Sequence, residues 1–315
     1  MPKVAVITPT YNRASNGLLQ KTMLSVSGQS YTDFAHVIVD DGSTDNTAEA
    51  VASFSDPRII YARRERTPRQ KFGASAASNH GVHMVLEDPY FSDTQYVTFL
   101  HSDDMLPRQS FGMKAQGFKM NPNLRLVCSY MGICDSSMRL LRIMKGPEIE
   151  EPKEMAQMLI RKQHMDFPHH TMMLSKGLLK EIRDIDGSVF DERLGFGEDR
   201  DFSVRALKLI EKGQVLCIPE VLQFYRTHDA SVTALYTAEG LHRPEREYFS
   251  DKHGRTFWTD LTGKLQLLAT RPYYFLPESA KKHLRRARDE VRRRNNGAID
   301  PFIEEIEMPL RRRSI

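Results

Sequence analysis

The feature that most constrains the fold is the alternation of short apolar runs with amphipathic stretches over the first hundred residues. Apolar runs bounded by polar turns are typical of buried strands, and helical patterns between them indicate an open α/β sheet. The sequence predicts strands at 4–7, 36–39, 58–61 and 96–100, and helices at 18–26, from about 46, and at 71–86.

Polar residues follow three of these predicted strands directly. They are the segment 8–12 after the first strand, Asp40 and Asp41 after the second, and Asp103 and Asp104 after the fourth. Ligands of open α/β sheets bind beyond the carboxyl ends of the strands. The three polar clusters therefore predict one binding site along a single edge of the sheet.

The rest of the chain predicts an acceptor half and an extension. Strands and helices mix from about 126 to 222, and an acidic, glycine-containing turn lies at 196–201. The stretch 238–255 reads as a linker or surface excursion, and the remainder is basic and helical. We expect a catalytic domain over 1–235, with a nucleotide-binding half at about 1–105 and an acceptor half at about 106–235, followed by a helical extension over 236–315.

The composition limits the class of protein. Of the 315 residues, 40% are hydrophobic and 27% charged, as in ordinary soluble domains. The three cysteines lack both a disulfide framework and zinc-ligand spacing, and no signal peptide or membrane span is evident. We therefore expect a cytoplasmic protein. The net charge of +4 is too small to favour a nucleic-acid partner, and no G-x-G-x-x-G after the first strand indicates a dinucleotide-dependent oxidoreductase.

Five segments carry a resemblance to a known family. In chain order they read VAVITPTYNR, VIVDDGSTDNT, FGASAASNHG, FLHSDDMLP and FGEDRDF. Together, over roughly residues 3–233, they resemble the family 2 glycosyltransferases. The resemblance implies the GT-A fold, an α/β fold with a mostly parallel, Rossmann-like sheet flanked by helices.

The function that the resemblance implies is inverting transfer of a sugar from a nucleotide-diphosphate donor to a hydroxyl. Uridine is the family's usual base, and a glycan, lipid-linked or protein acceptor would place the enzyme in polysaccharide or glycoconjugate synthesis. The alternative is a nucleotide-sugar-binding module with little or no turnover. Two departures from the family pattern favour that alternative: His101 stands where the family has an aspartate, and Ser78 stands where it has an arginine.

A divalent cation, Mn²⁺ or Mg²⁺, is expected because a diphosphate leaving group carries concentrated negative charge and hard cations prefer carboxylate ligands. By resemblance, Asp104 is the direct metal ligand, and Asp103 contacts the metal or the ribose. The closing motif of the family, matched here by Arg226 and His228, implies that His228 or Arg226 contacts phosphate or metal; a purely structural loop is the alternative. His101 is either a further ligand or a hydrogen-bonded structural residue.

The resemblance also assigns a nucleotide-binding set at the strand ends. Its members are Thr8, Pro9, Tyr11, Asp41, Lys71 and Asp103. Pro9 and Tyr11 would pack on the base, Thr8 would contribute a backbone or hydroxyl contact, and Asp41 would accept a hydrogen bond from the base. Asp40 is expected to organise its turn. Lys71, with Arg69, would meet the phosphates or the base, or lie on a solvated face.

The catalytic base is expected in the acidic pair Glu198 and Asp199. The acceptor hydroxyl must lose a proton as it attacks, and a carboxylate is the usual base. By resemblance Asp199 takes this role, and a single base implies inversion. Capping of the helix predicted through 202–210 is the structural alternative for Asp199. Arg200 and Arg205 are expected to balance the charge.

Two basic features leave alternatives open. His164, His169 and His170 could line the acceptor pocket, although the spacing and the missing thiols do not predict zinc. In the C-terminal region, residues 280–291 form a cationic helical pattern with a narrow apolar stripe. This pattern fits peripheral docking on an anionic membrane, such as the inner face of the cell membrane, or packing on the domain or on a second subunit of a homo-oligomer.

Overall fold

A computed structural model describes residues 1–66, 74–162, 168–195, 197–229, 231 and 242–254. The strands are β1 (Val4–Thr10), β2 (Phe34–Asp40), β3 (Ile59–Arg63), β4 (Tyr96–Phe99), β5 (Leu126–Cys134), β6 (Leu140–Met144), β7 (Met173–Ser175) and β8 (Val215–Arg226). The α-helices are α1 (Leu18–Ser27), α2 (Thr47–Ala52), α3 (Ser75–Glu87), α4 (Ser110–Met120), α5 (Pro152–Lys162), α6 (Lys176–Asp186), α7 (Glu198–Lys208) and α8 (His242–Lys252). Two 3₁₀ turns lie at Pro89–Phe91 and His169–Thr171.

One mixed sheet organises the described chain. Its strand order is β3-β2-β1-β4-β7-β5-β6, and β8 pairs with β5. The first four strands in this order are parallel, whereas β7 runs antiparallel to both β4 and β5. Because β1, β2 and β4 are parallel, their carboxyl ends meet at one edge, and the predicted convergence of the three polar clusters is confirmed.

The core follows from the two-residue alternation along the buried strands. In β1, Ala5 and Ile7 face the same cluster as Val37 and Val39 of β2, whereas Val4 and Val6 face the opposite side. Helices cover both faces, which is why these strands read as continuous apolar runs. Helix α3 lies close to β1: a Cβ at Gly81 would stand 2.6 Å from Ile7 Cγ2, so only glycine fits there.

The element bounds differ from the sequence prediction in three places. Helix α3 is described only from residue 75, because residues 67–73 lie outside the described part. The predicted helix at 202–210 begins at Glu198, so the acidic pair lies in its first turn. The stretch 238–255 is not simply a linker or surface excursion, because α8 (His242–Lys252) lies within it and buries Phe249 completely in the core. The boundary at 235/236 stays a prediction, and the basic pattern at 280–291 lies outside the described residues.

Candidate active site

The carboxylates Asp103 and Asp104 lie in the turn that leaves β4, as the sequence predicts. Asp104 Oδ1 accepts a hydrogen bond from the backbone N–H of Arg226 (2.9 Å), and the Asp104 carbonyl accepts one from the Thr22 hydroxyl (2.7 Å). Asp103 Oδ2 lies 3.0 Å from His228 Nε2 and 3.7 Å from Arg13 Nε. The end of β8 and its following turn are thereby held against the carboxylate pair.

The two carboxylates have opposite electrostatic environments. Asp104 is fully buried, and its Oδ2 has no hydrogen-bond partner among the described residues. Burial, and then the charge of Asp103, raise the pKa of Asp104 well above its usual range. Burial opposes ionisation of Asp103 as well, but the hydrogen bond with His228 and the charge of Arg13 outweigh it and lower its pKa.

This arrangement fits a divalent cation. Ligand atoms of His101, Asp103 and Asp104 lie within 4.8 Å of one another. A buried carboxylate oxygen without a partner is costly, and a cation would satisfy it. The roles of Asp104, Asp103 and His228 at such a cation stay predictions.

The loops after β1 and β2 are locked to each other. Asn12 adopts a left-handed conformation (φ 52°), and its side-chain oxygen accepts hydrogen bonds from the backbone N–H groups of Thr44 (2.8 Å) and Asp45 (3.3 Å). Asp40 organises its turn by accepting from the Ser43 backbone N–H (2.7 Å), in agreement with the sequence prediction. Its other oxygen accepts from the Tyr61 hydroxyl (2.6 Å).

Tyr11 and Asp41 lie together at this edge, and two arginines that sequence reasoning missed join them. Asp41 is ion-paired with Arg64 and, at 3.4 Å, with Arg66. The Arg66 guanidinium also lies 4.0 Å from the centre of the Tyr11 ring and covers one of its faces. Burial raises the pKa of Asp41, although both arginines counteract the effect.

Thr8 and Pro9, two members of the predicted nucleotide-binding set, are buried in β1. Thr8 is fully buried, and its hydroxyl lies 2.8 Å from His36 Nε2 inside the sheet. The hydroxyl contact predicted for Thr8 is therefore not available in this conformation, because the side chain points into the core. Pro9 is buried in β1 opposite Val39. Lys71 lies outside the described residues.

The acidic pair Glu198 and Asp199 opens α7. Gly197, with φ 93°, occupies the N-cap position, a conformation that glycine adopts without strain. No side-chain cap bond is formed at this helix start, so Asp199 is not the capping residue. Its Oδ1 accepts from the Arg200 backbone N–H (2.7 Å). Burial raises the pKa of both carboxyl groups, and the charge of Asp199 raises that of Glu198 further.

The expected charge partners of this pair are distributed differently. Arg205 donates a hydrogen bond through Nε to Asp201 (2.8 Å) and lies 3.2 Å from Asp186. Its charge therefore balances Asp201, the next acidic residue of α7. Asp201 also pairs with Lys252 (2.8 Å) and His253 (2.9 Å) at the end of α8. Burial opposes its ionisation, but these partners lower the pKa of Asp201 to about 2.

His101 links the two groups of carboxylates. It follows β4 by two residues, and both Asp103 and Asp199 act on its imidazole electrostatically. Burial is the stronger influence and lowers the pKa of His101. The sequence could not show this link, because Asp103 and Asp199 belong to segments that only the sheet brings together.

Comparisons with known proteins identify the family of this chain. The model of glycosyl transferase family 2 matches residues 5–183, and the chain belongs to this family. The chain is 37% identical over 106 residues to glycosyltransferase GlyA of Streptococcus pneumoniae. It is 33% identical over 108 residues to a GalNAc(5)-diNAcBac-PP-undecaprenol beta-1,3-glucosyltransferase of Campylobacter jejuni.

These matches cover about a third of this chain (33% and 34%) and 13% and 31% of the two relatives. Among solved structures, Staphylococcus aureus TarS residues 1–349 in complex with UDP-GlcNAc superimposes with a TM-score of 0.55 at 19% identity. The match covers 74% of this chain and 60% of that one. The GT-A fold expected from the sequence is thus confirmed. Among the described residues, no helix combines the length and the apolar character needed to cross a membrane.

Proposed function

We propose that this protein is an inverting glycosyltransferase that transfers a sugar from a nucleotide-diphosphate donor, of the uridine type, to an acceptor hydroxyl. The observation that carries the proposal is a buried Asp104 oxygen without a partner, beside Asp103, at the carboxyl end of β4. Asp199 of the acidic pair acts electrostatically on His101, which lies in the same neighbourhood. A site of this kind has one part that binds a metal ion and a separate part that supplies the general base.

On the donor side, Asp104 and Asp103 would hold Mn²⁺ or Mg²⁺, with His228 as an adjacent partner. The cation would supply positive charge to the departing diphosphate. Arg226 is a second source of charge: its guanidinium is 1% exposed, it interacts with both carboxylates, and its Nε and Nη2 have no partner among the described residues. Arg226 can therefore take the cationic role that Ser78 cannot.

Tyr11 and Asp41 would bind the base, with Tyr11 offering the ring face that Arg66 leaves uncovered. The chemistry on the acceptor side belongs to Asp199. A raised pKa makes a carboxylate a better proton acceptor when it is ionised, and Asp199 is partly shielded from the water that would compete for it. A single base acting on the attacking hydroxyl gives inversion at the anomeric carbon.

The test is hydrolysis and transfer with a panel of nucleotide sugars, beginning with UDP-GlcNAc and UDP-glucose. TarS is the reason for the first choice and the Campylobacter glucosyltransferase for the second. We expect slow release of free sugar with Mn²⁺ in the absence of acceptor. Polysaccharide fragments and lipid-linked oligosaccharides are the acceptors to add next.

A binding module without turnover is the competing function, and His101 and Ser78 are the observations that favour it. Such a protein would bind nucleotide sugar and Mn²⁺ in calorimetry but would release no sugar with any donor or acceptor. Release that depends on Asp199 excludes this alternative, since binding alone gives no role to a buried base.

A further inference from the structure

Three histidine rings meet at the end of β4, on the side away from the base-binding loops. His101 follows β4, whereas His169 and His170 form the 3₁₀ turn that leads into β7. Because β4 and β7 pair antiparallel, the end of one strand lies beside the start of the other. The ring centres of the three histidines form a triangle with sides of 5.0, 5.3 and 5.6 Å.

The nitrogens of these rings are placed as ligands. One ring nitrogen from each histidine lies within 4.8 Å of the other two. Three ligands held about 2.0–2.1 Å from a tetrahedral ion lie roughly 3.3 Å apart, so a small closure of the triangle suffices. A site of this geometry needs no movement of the strands.

Each ring also carries a buried nitrogen that is not satisfied by the protein. These atoms are His101 Nε2, His169 Nδ1 and His170 Nδ1, none of which has a hydrogen-bond partner among the described residues. A buried polar atom without a partner costs about 1–3 kcal/mol. A single ion bound by the three rings would remove much of this cost at once.

The surroundings favour neutral imidazoles, the form that binds metals. His169 and His170 are 2% and 6% exposed, and burial disfavours a charged ring. His169 packs edge-on against Phe99 and Phe190 (ring centres 5.5 and 5.0 Å). Apolar walls of this kind limit the number of water ligands and favour low coordination numbers.

We propose that His101, His169 and His170 form a binding site for a divalent transition-metal ion of the zinc class. Imidazole nitrogens suit such ions, whereas Mg²⁺ and Mn²⁺ prefer the oxygen ligands that Asp103 and Asp104 offer. The two sites would differ in metal selectivity although both lie beside His101. This site does not depend on the proposed transferase activity.

Such an ion would cross-link the end of β4 to the turn before β7. It would also place positive charge next to Asp103 and Asp199, the two carboxylates that act on His101. We therefore expect zinc to stabilise the fold, with an increment that grows with the logarithm of the free zinc concentration above its Kd.

The experiment uses the untagged full chain, stripped with a chelator, and titrated with Co²⁺ as a coloured substitute for Zn²⁺. We expect one Co²⁺ per chain with the visible absorption of a tetrahedral or five-coordinate ion, and its displacement by Zn²⁺. X-ray absorption at the zinc edge should show imidazole nitrogens at about 2.0–2.1 Å. Absence of stoichiometric binding, or a first shell made only of oxygen, would overturn the proposal.

Four variants locate the ion. His169→Phe preserves the aromatic packing and removes one ligand, and His170→Gln removes the neighbouring ligand. Each variant should weaken Co²⁺ binding by about 100-fold or more, because loss of a residue that only supports a metal ligand already costs about 10–100-fold in affinity. His83→Gln, on α3, and Asp104→Asn, in the carboxylate group, should keep the wild-type spectrum. Retention of the spectrum in both ligand variants, or its loss in Asp104→Asn alone, would contradict the assignment. The X-ray measurement on the wild-type chain decides the matter if the ligand variants do not fold.

Discussion

Carboxylates at the donor edge of this site and carboxylates at its centre have different electrostatic environments. We call Asp40, Asp41, Arg63, Arg64 and Arg66 the rim, and Asp104, Glu198 and Asp199 the centre. In the rim, both carboxylates have arginine partners. In the centre, burial raises the pKa of all three carboxyl groups, and none of them forms a side-chain ion pair with a described residue. The charges of Arg226 and Arg200 offset the effect of burial only in part at Asp104 and Asp199.

The difference separates carboxylates that stabilise the fold from carboxylates that are available for chemistry. A buried carboxylate paired with arginine is held in one geometry and is expensive to disturb. A buried carboxylate without such a partner costs stability but keeps a reactive lone pair, which is common at functional sites. Asp199 and Asp201 show the contrast within a single helical turn.

The largest expected effect comes from Asp199→Asn. Loss of a general base should lower the rate of transfer about 10²–10⁴-fold. The affinity for donor nucleotide should change little, because the role proposed for Asp199 is on the acceptor side. Steady-state kinetics and calorimetry with UDP measure the two quantities. Equal loss of donor binding would show that Asp199 maintains the fold and would move the base to Glu198.

Asp201→Asn should instead act on stability. Removing the carboxylate breaks its pairs with Arg205, Lys252 and His253. Arg205 keeps Asp186 and Lys252 keeps Asp191, so we expect a loss below the roughly 3–5 kcal/mol of an uncompensated buried charge. Denaturant unfolding measures the change, and Asp135→Asn is the control, because its partner Arg139 is mostly exposed and that pair contributes at most about 1 kcal/mol. The stabilisation by Asp201 is present above its unfolded pKa and is lost as the pH falls toward about 2. A small effect of Asp201→Asn would mean that the pairing is dispensable.

The pH profile of transfer should report the raised pKa of Asp199. The base must be ionised, so kcat/KM should fall about tenfold per pH unit below that pKa. Because burial raises the pKa, the acid limb should lie above the ordinary value near 4. Donor affinity measured over the same range is the control. A limb at the ordinary value would mean that Asp199 is solvated in the working enzyme.

Asp104→Asn should raise the unfolding temperature of the metal-free protein. A raised folded-state pKa means that the ionised carboxylate destabilises the fold at neutral pH. The stability contributed by the protonated form is lost as the pH rises through that pKa. Removing the charge should raise the free energy of unfolding by about 1 kcal/mol, which corresponds to roughly 2–4 °C in unfolding temperature for a domain of this size. The joint stabilisation by UDP and Mn²⁺ should disappear in the same thermal-shift experiment.

The matched control for Asp104→Asn is Asp103→Asn, which removes the partner of His228 and Arg13 and should lower the unfolding temperature. The same sign of change in both variants would contradict the electrostatic difference between the two carboxylates.

The smallest effect is expected in the rim, from Arg66→Ala. It removes a cation–π contact with Tyr11 and a 3.4 Å pair with Asp41, together worth about 0.5–1 kcal/mol. We expect a change of a few-fold in the KM for donor and an unchanged kcat. Arg139→Ala serves as the control for a surface arginine. A large loss of kcat would mean that the rim takes part in the chemical step.

The sequence alone determined the class of fold and the position of the polar clusters, because both depend on local patterns. Apolar runs identify the strands, and Asp40, Asp103 and Asp199 stand next to segments that the periodicity reveals. The order of the motifs was sufficient to indicate the family that the comparisons confirm.

Only the tertiary structure decided which charges are neutralised. Asp199 and Asp201 are chemically alike and two positions apart, but Asp201 pairs with Arg205, Lys252 and His253. Lys252 and His253 belong to a segment that the sequence reading took for a linker or surface excursion. The histidine triangle joins His101 to His169 across the pairing of β4 with β7. Ion pairs and ligand clusters between distant segments depend on packing, and packing leaves no local pattern in the chain.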